Sequence, residues 1–187
     1  THSTSTSPTD KLDFDAGRVT SNAGGEVLSN QATLIVSTDA DTGDYTDIQS
    51  ALNALPAAGG RIFVKAGTYT LTSGITIGDS DILIEGEGPA TVIAFDGSTI
   101  GTAIAMVDTT QRSDIRIRNL KINSTSAGNG IGINASHFAI SNFENLNITN
   151  VNGGIAFDSN DTFYNKVENT TITFGGTSGY GVKASST

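Results

Sequence analysis

The chain has 187 residues, with ten Lys and Arg against nineteen Asp and Glu, a formal net charge of −9 and no cysteine. One domain with a sizeable core is the natural reading of that length. The absent cysteines remove disulfide frameworks, thiol catalysis and zinc clusters; acidity without a basic stripe argues against a nucleic-acid partner; and no run approaches the roughly eighteen apolar residues of a membrane-spanning helix.

In chain order, residues 1–35 read as an extended, low-complexity arm. Its start, THSTSTSPTD, has too little apolar surface to order itself, so a neighbouring subunit or the arm's own domain must hold it. Short apolar pieces split by glycines follow, ending in one strand at Leu34-Ile35-Val36. No leader of charged then apolar residues opens the sequence, as expected either of a processed secreted product or of a chain without one. A capping box at Thr46 and Gln49 then predicts a helix near 46–55, with Ile48, Ala51, Leu52 and Leu55 on one stripe and Pro56 and Gly59-Gly60 as the stop. Beyond it only strand-length apolar runs appear, separated by Gly and Asp turns. One early helix and many short strands predict an all-β domain over 36–187.

A repeat gives the architecture. Ile117-Arg-Asn119-Leu-Lys-Ile122 recurs as Phe143-Glu-Asn145-Leu-Asn-Ile148 and Val167-Glu-Asn169-Thr-Thr-Ile172, at steps of 26 and 24 residues. A second element recurs between them, as Gly130-Ile-Gly-Ile133, Gly154-Ile-Ala-Phe157 and, more loosely, Gly181-Val-Lys-Ala184. Several strands per repeat without a helix predict a parallel β-helix, a solenoid whose coils stack about 4.8 Å apart. Asn119, Asn145 and Asn169 are then expected to form a side-chain ladder, and the helix to cover the open apolar end.

The segments VSTDADTGDYTDIQSA (36–51), GRIFVKAGTY (60–69) and ILIEGEG (82–88) resemble the opening of pectin-lyase-like right-handed parallel β-helix proteins. The resemblance covers about residues 36–184 and is sharpest over 44–95. That opening is shared by pectate lyases, pectin methylesterases, polygalacturonase-like hydrolases and viral tailspikes, so it implies the fold and leaves the activity open. The Gln-Ala-Val-Ala and Asp-Phe-Ile-Phe-Gly segments of the esterases are absent, as are the Asn-Thr-Asp and Asp-Asp segments of the hydrolases. Arg112, Arg116 and Arg118 do not match the context of a lyase's catalytic arginine. The catalytic residues are therefore unknown at this level, and the chain reads as about four coils.

Asp39, Asp41 and Asp44 alternate like a calcium loop but lack the closing bidentate glutamate; the competing reading is a glycine turn feeding the helix N-terminus. Calcium is the one cofactor this leaves. Asp158, Asp161, Tyr164 and Tyr180 are candidates for carbohydrate contact, the tyrosines as ring platforms or as strand-edge packing. Asp158, Asp161 and Glu144 are close enough in sequence to suggest an acid–base pair, although Glu144 and Glu168 share one repeat position and so also read as solvated turns. His137 reads as a surface histidine. Asn123, Asn134, Asn147 and Asn160 head glycosylation sequons, while the sequon at Asn169 competes with the ladder.

The leading expectation is an extracellular, cell-surface or virion-surface module of tailspike or fibre type. It assembles with other copies of itself, as a trimer or head to tail, and contacts surface polysaccharide. An uncapped end of the coil requires either more polypeptide or another chain. The alternatives are the N-terminal part of a secreted polysaccharide lyase, esterase or hydrolase, and a self-assembling surface filament.

Overall fold

A computed structural model describes the backbone of 12–15 and 18–21, and residues 32–106, 108–158 and 162–184. Most of the predicted arm lies outside these residues. Within it, β1 (Leu12–Asp15) and β2 (Arg18–Ser21) pair as an antiparallel hairpin.

The remainder is a parallel solenoid. Strand β3 (Ala32–Val36) was expected to close the arm, but it pairs in parallel with the next strand and opens the coil. Helix α1 (Ile48–Ala54) follows. The first full rung is β4 (Gly60–Val64), β5 (Gly67–Thr70) and β6 (Ile75–Ile77); the second is β7 (Ile82–Gly86), β8 (Thr91–Phe95) and β9 (Thr102–Met106). The third contains β10 (Arg112–Ser113), β11 (Arg116–Ser124) and β12 (Ile131–Asn134), and the fourth β13 (Phe138–Ala139), β14 (Asn142–Val151) and β15 (Gly153–Phe157). β16 (Lys166–Glu168), β17 (Thr171–Phe174) and β18 (Tyr180–Ala184) form the fifth. With β3 this makes about six turns, not four. The early rungs escape the repeat because they turn their corner with Gly86-Glu87-Gly88 or Lys65-Ala66 where later rungs use a single asparagine.

Three stacked faces result. The first runs β3-β4-β7-β11-β14-β16, the second β5-β8-β11-β14-β17, and the third β6-β9-β12-β15-β18. β11 and β14 serve two faces because each bends at an asparagine, Asn119 (φ 57°) and Asn145 (φ 52°), which interrupts the pairing register. Asn tolerates this left-handed conformation better than other side chains. Asn169 (φ 45°) repeats the bend between β16 and β17.

Each face points one hydrophobic column inward. In register these are Leu34-Ile62-Ile84-Ile117-Phe143-Val167, Tyr69-Ile93-Ile122-Ile148-Ile172 and Ile75-Ile104-Ile133-Ile155-Val182. Most are fully buried, each contributing about 1.5–3 kcal/mol. The register also corrects the second repeat. Ile133 pairs with Ile155, so Gly132 rather than Gly130 matches Gly154. Gly130 instead turns the corner at φ 80°, where a Cβ would press on the Phe95 ring.

The helix cap differs from the expected box. Asp47, not Thr46, is the N-cap, accepting from Ser50 N–H at 2.8 Å. Gln49 faces β6: its Oε1 accepts from Thr76 N–H at 2.7 Å and its Nε2 donates to Thr76 C=O at 3.1 Å. The side chain thus imitates a neighbouring strand at the edge of the third face. Ile48, Ala51 and Leu52 are buried against β3, β4 and β6, so α1 covers the first turn. Among the described residues no helix is long and apolar enough to cross a membrane.

Candidate functional site

The outward side of the third face carries small and polar residues. Register places Thr76, Ala105, Asn134, Ala156 and Lys183 one above the other, a lane of short side chains that ends in an ammonium group. Lys183 Nζ meets Asp158 Oδ2 at 3.2 Å and lies 5.7 Å from the centre of the Tyr180 ring. That ring leans over Gly153 on the preceding rung, where a Cβ would approach its hydroxyl to 2.6 Å. Gly153 is thus the condition for Tyr180 to lie flat. Desolvation, and then the negative charge of Asp158, push the Tyr180 phenol above its ordinary range against the opposing effect of Lys183.

The lane is braced from within its own strand ends. Asp158 N–H donates to Ser136 Oγ at 3.1 Å, and Ser136 N–H to Asn134 Oδ1 at 3.1 Å. A carboxylate, an ammonium, a phenol and an amide, the ammonium exposed and the others half-buried, therefore gather at one end of the third face. Such a set supplies donors, acceptors and a ring face, the groups that hold a sugar's hydroxyls and its apolar side.

Of the predicted carbohydrate contacts, the structure brings together Asp158 and Tyr180. Asp161 and the sequon residue Asn160 lie outside the described residues. Tyr164 stands elsewhere, on the corner that precedes the first face, and is 85% exposed. Lys183, which joins Asp158 to Tyr180, was not singled out from the sequence. Its signal was the third copy of the glycine-led element, where a lysine replaces the Ala156 of the copy before. Glu144 pairs in register with Glu168 on the outside of the first face, away from Asp158, and Glu168 binds Lys166 at 2.8 Å.

The remaining candidates have structural surroundings. Asp44 accepts from Ile35 N–H at 2.8 Å and Asp39 from Asp41 N–H at 3.0 Å, so two carboxylates of the alternating loop are engaged by backbone. Among the described residues no three His, Asp or Glu side chains converge on a common point. Asn145 donates to Asn119 Oδ1 at 3.0 Å, and Asn119 to Glu85 Oε1 at 3.3 Å. Asn123 accepts from Thr149 Oγ1 at 2.7 Å, half-buried like Asn147 and Asn134. His137 is half-buried, its N–H given to Thr162 Oγ1 at 3.1 Å.

No protein-family model and no curated protein matches the sequence. Solved structures do match in shape. A pectin methylesterase, an Asp-to-Ala variant in complex with a hexasaccharide, aligns with TM-score 0.59 at 14% identity, covering 74% of this chain and 48% of that one. The deglycosylated pectin methylesterase from Aspergillus niger aligns with TM-score 0.50 at 14% identity, covering 79% of this chain and 57% of that one. The chain has the pectin-lyase-like, right-handed parallel β-helix fold. It spans about half the length of these solved structures.

Proposed function

We propose that the chain is a carbohydrate-binding β-helix module of an extracellular surface, and that it takes a neutral polysaccharide along the outward side of the third face. The observation that carries this reading is the Tyr180 ring laid over Gly153 beside the Asp158–Lys183 pair. A sugar at this end of the lane meets the Tyr180 ring together with the Lys183 ammonium that lies over it and the carboxylate of Asp158. The net charge of −9 favours a neutral glycan, since a polyuronate would approach against the field of the whole molecule.

A second reading, the N-terminal part of a polysaccharide esterase, lyase or hydrolase, is favoured by the fold shared with pectin methylesterases. Glycoside hydrolysis requires two carboxylates flanking the reacting bond, whereas Asp158 is paired with Lys183 and the candidate partner Glu144 lies on the first face. Binding is therefore the better-supported function. Affinity electrophoresis through gels containing neutral glucans, mannans or galactans tests it. Retardation by at least one of them should be reduced in Tyr180→Ala and, to a lesser degree, in Asp158→Asn, while methyl-esterified pectin yields neither methanol nor unsaturated products. Release of methanol, or retardation indifferent to both substitutions, would overturn the proposal.

A further inference from the structure

A separate surface carries its own ligand chemistry. At the corner leading into the first face, Asp81, Asp114, Ile140 and Tyr164 occupy equivalent places on four successive rungs. Their φ angles are 59°, 57°, 52° and 54°. The amides of Asp81, Asp114 and Ile140 each donate to the carbonyl of the next rung, at Ser113, Ala139 and Phe163. The left-handed bend aims each of these side chains off the coil. It is a strained choice for β-branched Ile140 and bulky Tyr164.

At its Asp end the corner borders a cleft of about 250 Å³ lined by Thr33, Arg61, Leu83, Asp81, Asp114 and Arg116. Arg61, Leu83 and Arg116 are in register, so the two arginines stand one rung to either side of Leu83, the Arg61 guanidinium lying over the Phe63 ring at 5.2 Å. Arg61 Nη2 binds Glu85 at 2.7 Å, whereas Arg116 stands 3.7 Å from Asp114 and is 60% exposed. Guanidinium groups only donate and carboxylates only accept, so a ligand filling this cleft must offer both kinds of group. Two arginines and two aspartates give the lining no net charge. A polyanion would meet Asp81 and Asp114, and a polycation would meet Arg61 and Arg116. A neutral polyol with one apolar face meets neither obstacle, and the volume, below the roughly 300–1,000 Å³ of drug-sized pockets, suits a single ring.

At the other end the corner is aromatic. Tyr164 and Phe163 pack edge to face at 5.5 Å and 89°, with Phe163 44% and Ile140 52% exposed. Asn165 holds this platform rigid, donating to Phe138 C=O at 2.7 Å and accepting from Ser141 N–H at 2.9 Å. Two rung spacings, about 10 Å, separate Asp114 from Tyr164. From these we infer a second glycan-binding surface: a neutral oligosaccharide lies parallel to the solenoid axis, one ring in the Arg61–Leu83–Arg116 cleft and another on Tyr164.

This surface needs nothing from the third face, so the two sites fail separately. Amide NMR of the full chain, titrated with neutral cello-, manno- and galacto-hexaose and with hexagalacturonate, resolves them. Shifts are expected around Asp114, Ile140 and Asn165 with a neutral hexaose, weakened about tenfold by Tyr164→Ala, restored by Tyr164→Phe and unchanged by Tyr180→Ala. Arg116→Ala should weaken the same shifts. Tyr164 and Arg116 are exposed, so the variants should fold as the parent does. Shifts confined to Tyr180 and Lys183 would overturn the inference and leave the proposed function standing. Corner shifts that follow protein concentration instead of added glycan would overturn it in favour of self-association, and corner shifts stronger with hexagalacturonate would refute the neutral ligand.

Discussion

At the residue scale the asparagines that bend β11 and β14 combine two requirements. The backbone must sit at positive φ, and the amide must bridge to the rung below. Substitution separates them. Asn145→Gly keeps the bend and loses the bridge, whereas Asn145→Ala loses both, so alanine should cost about 1 kcal/mol more than glycine. Urea unfolding of the two variants checks the order; equal losses would mean the bend carries no strain. Glu85, at the foot of this ladder, offers a pH test. Burial raises its pKa, but hydrogen bonds and charge from Arg118, together with Arg61, more than offset that and hold the carboxyl below its ordinary value. A lowered folded pKa stabilises the protein above the unfolded value of 4.5, and the contribution is lost as pH falls through the lower folded value. Stability measured against pH should therefore decline more gently on the acid side in Glu85→Gln than in the parent.

At the element scale the capping helix shows what patterning reveals and what it does not. The stripe of Ile48, Ala51 and Leu52 was legible because burial on one side imposes a helical period. The task of Gln49 was not, because its partner Thr76 is 27 residues away and a capping box explains the same spacing locally. Gln49→Ala should leave Thr76 N–H and C=O exposed at the edge, costing about 1–2 kcal/mol and speeding amide exchange through β6. Unchanged exchange there would show that the edge needs no cover. The coil count failed for a related reason: asparagine corners announce the later rungs, while the earlier ones turn on Gly86-Glu87-Gly88. Gly86 is required there because a Cβ would collide with the Asn119 carbonyl. Hydrophobic columns are nonetheless shared by every rung, which is why the fold itself was readable. The candidate site was only half so. Asp158 and Tyr180 were visible as chemistry-bearing residues, but Lys183 and Gly153 acquire meaning through register, which sequence spacing leaves uncertain by two residues at Gly130.

At the scale of the whole molecule, the solenoid arranges the same surface positions into continuous lanes parallel to its axis, a geometry suited to extended polymers. The third face offers a smooth lane ending at Tyr180, Asp158 and Lys183, and one corner offers a cleft with an aromatic platform. Similarity to pectin methylesterases extends to shape, at 14% identity over about half of each of those chains. The charge of −9 sets the molecule against anionic polymers generally, so preference between neutral and acidic glycans decides between a binding module and a pectin-type enzyme. The most direct measurement is the equilibrium binding of neutral hexaoses and of hexagalacturonate to the same chain, at low and at physiological salt. A neutral hexaose should bind more tightly, nearly independently of salt, and Tyr180→Ala should reduce binding on the third face. Tighter binding of hexagalacturonate, weakening as salt rises, would contradict it.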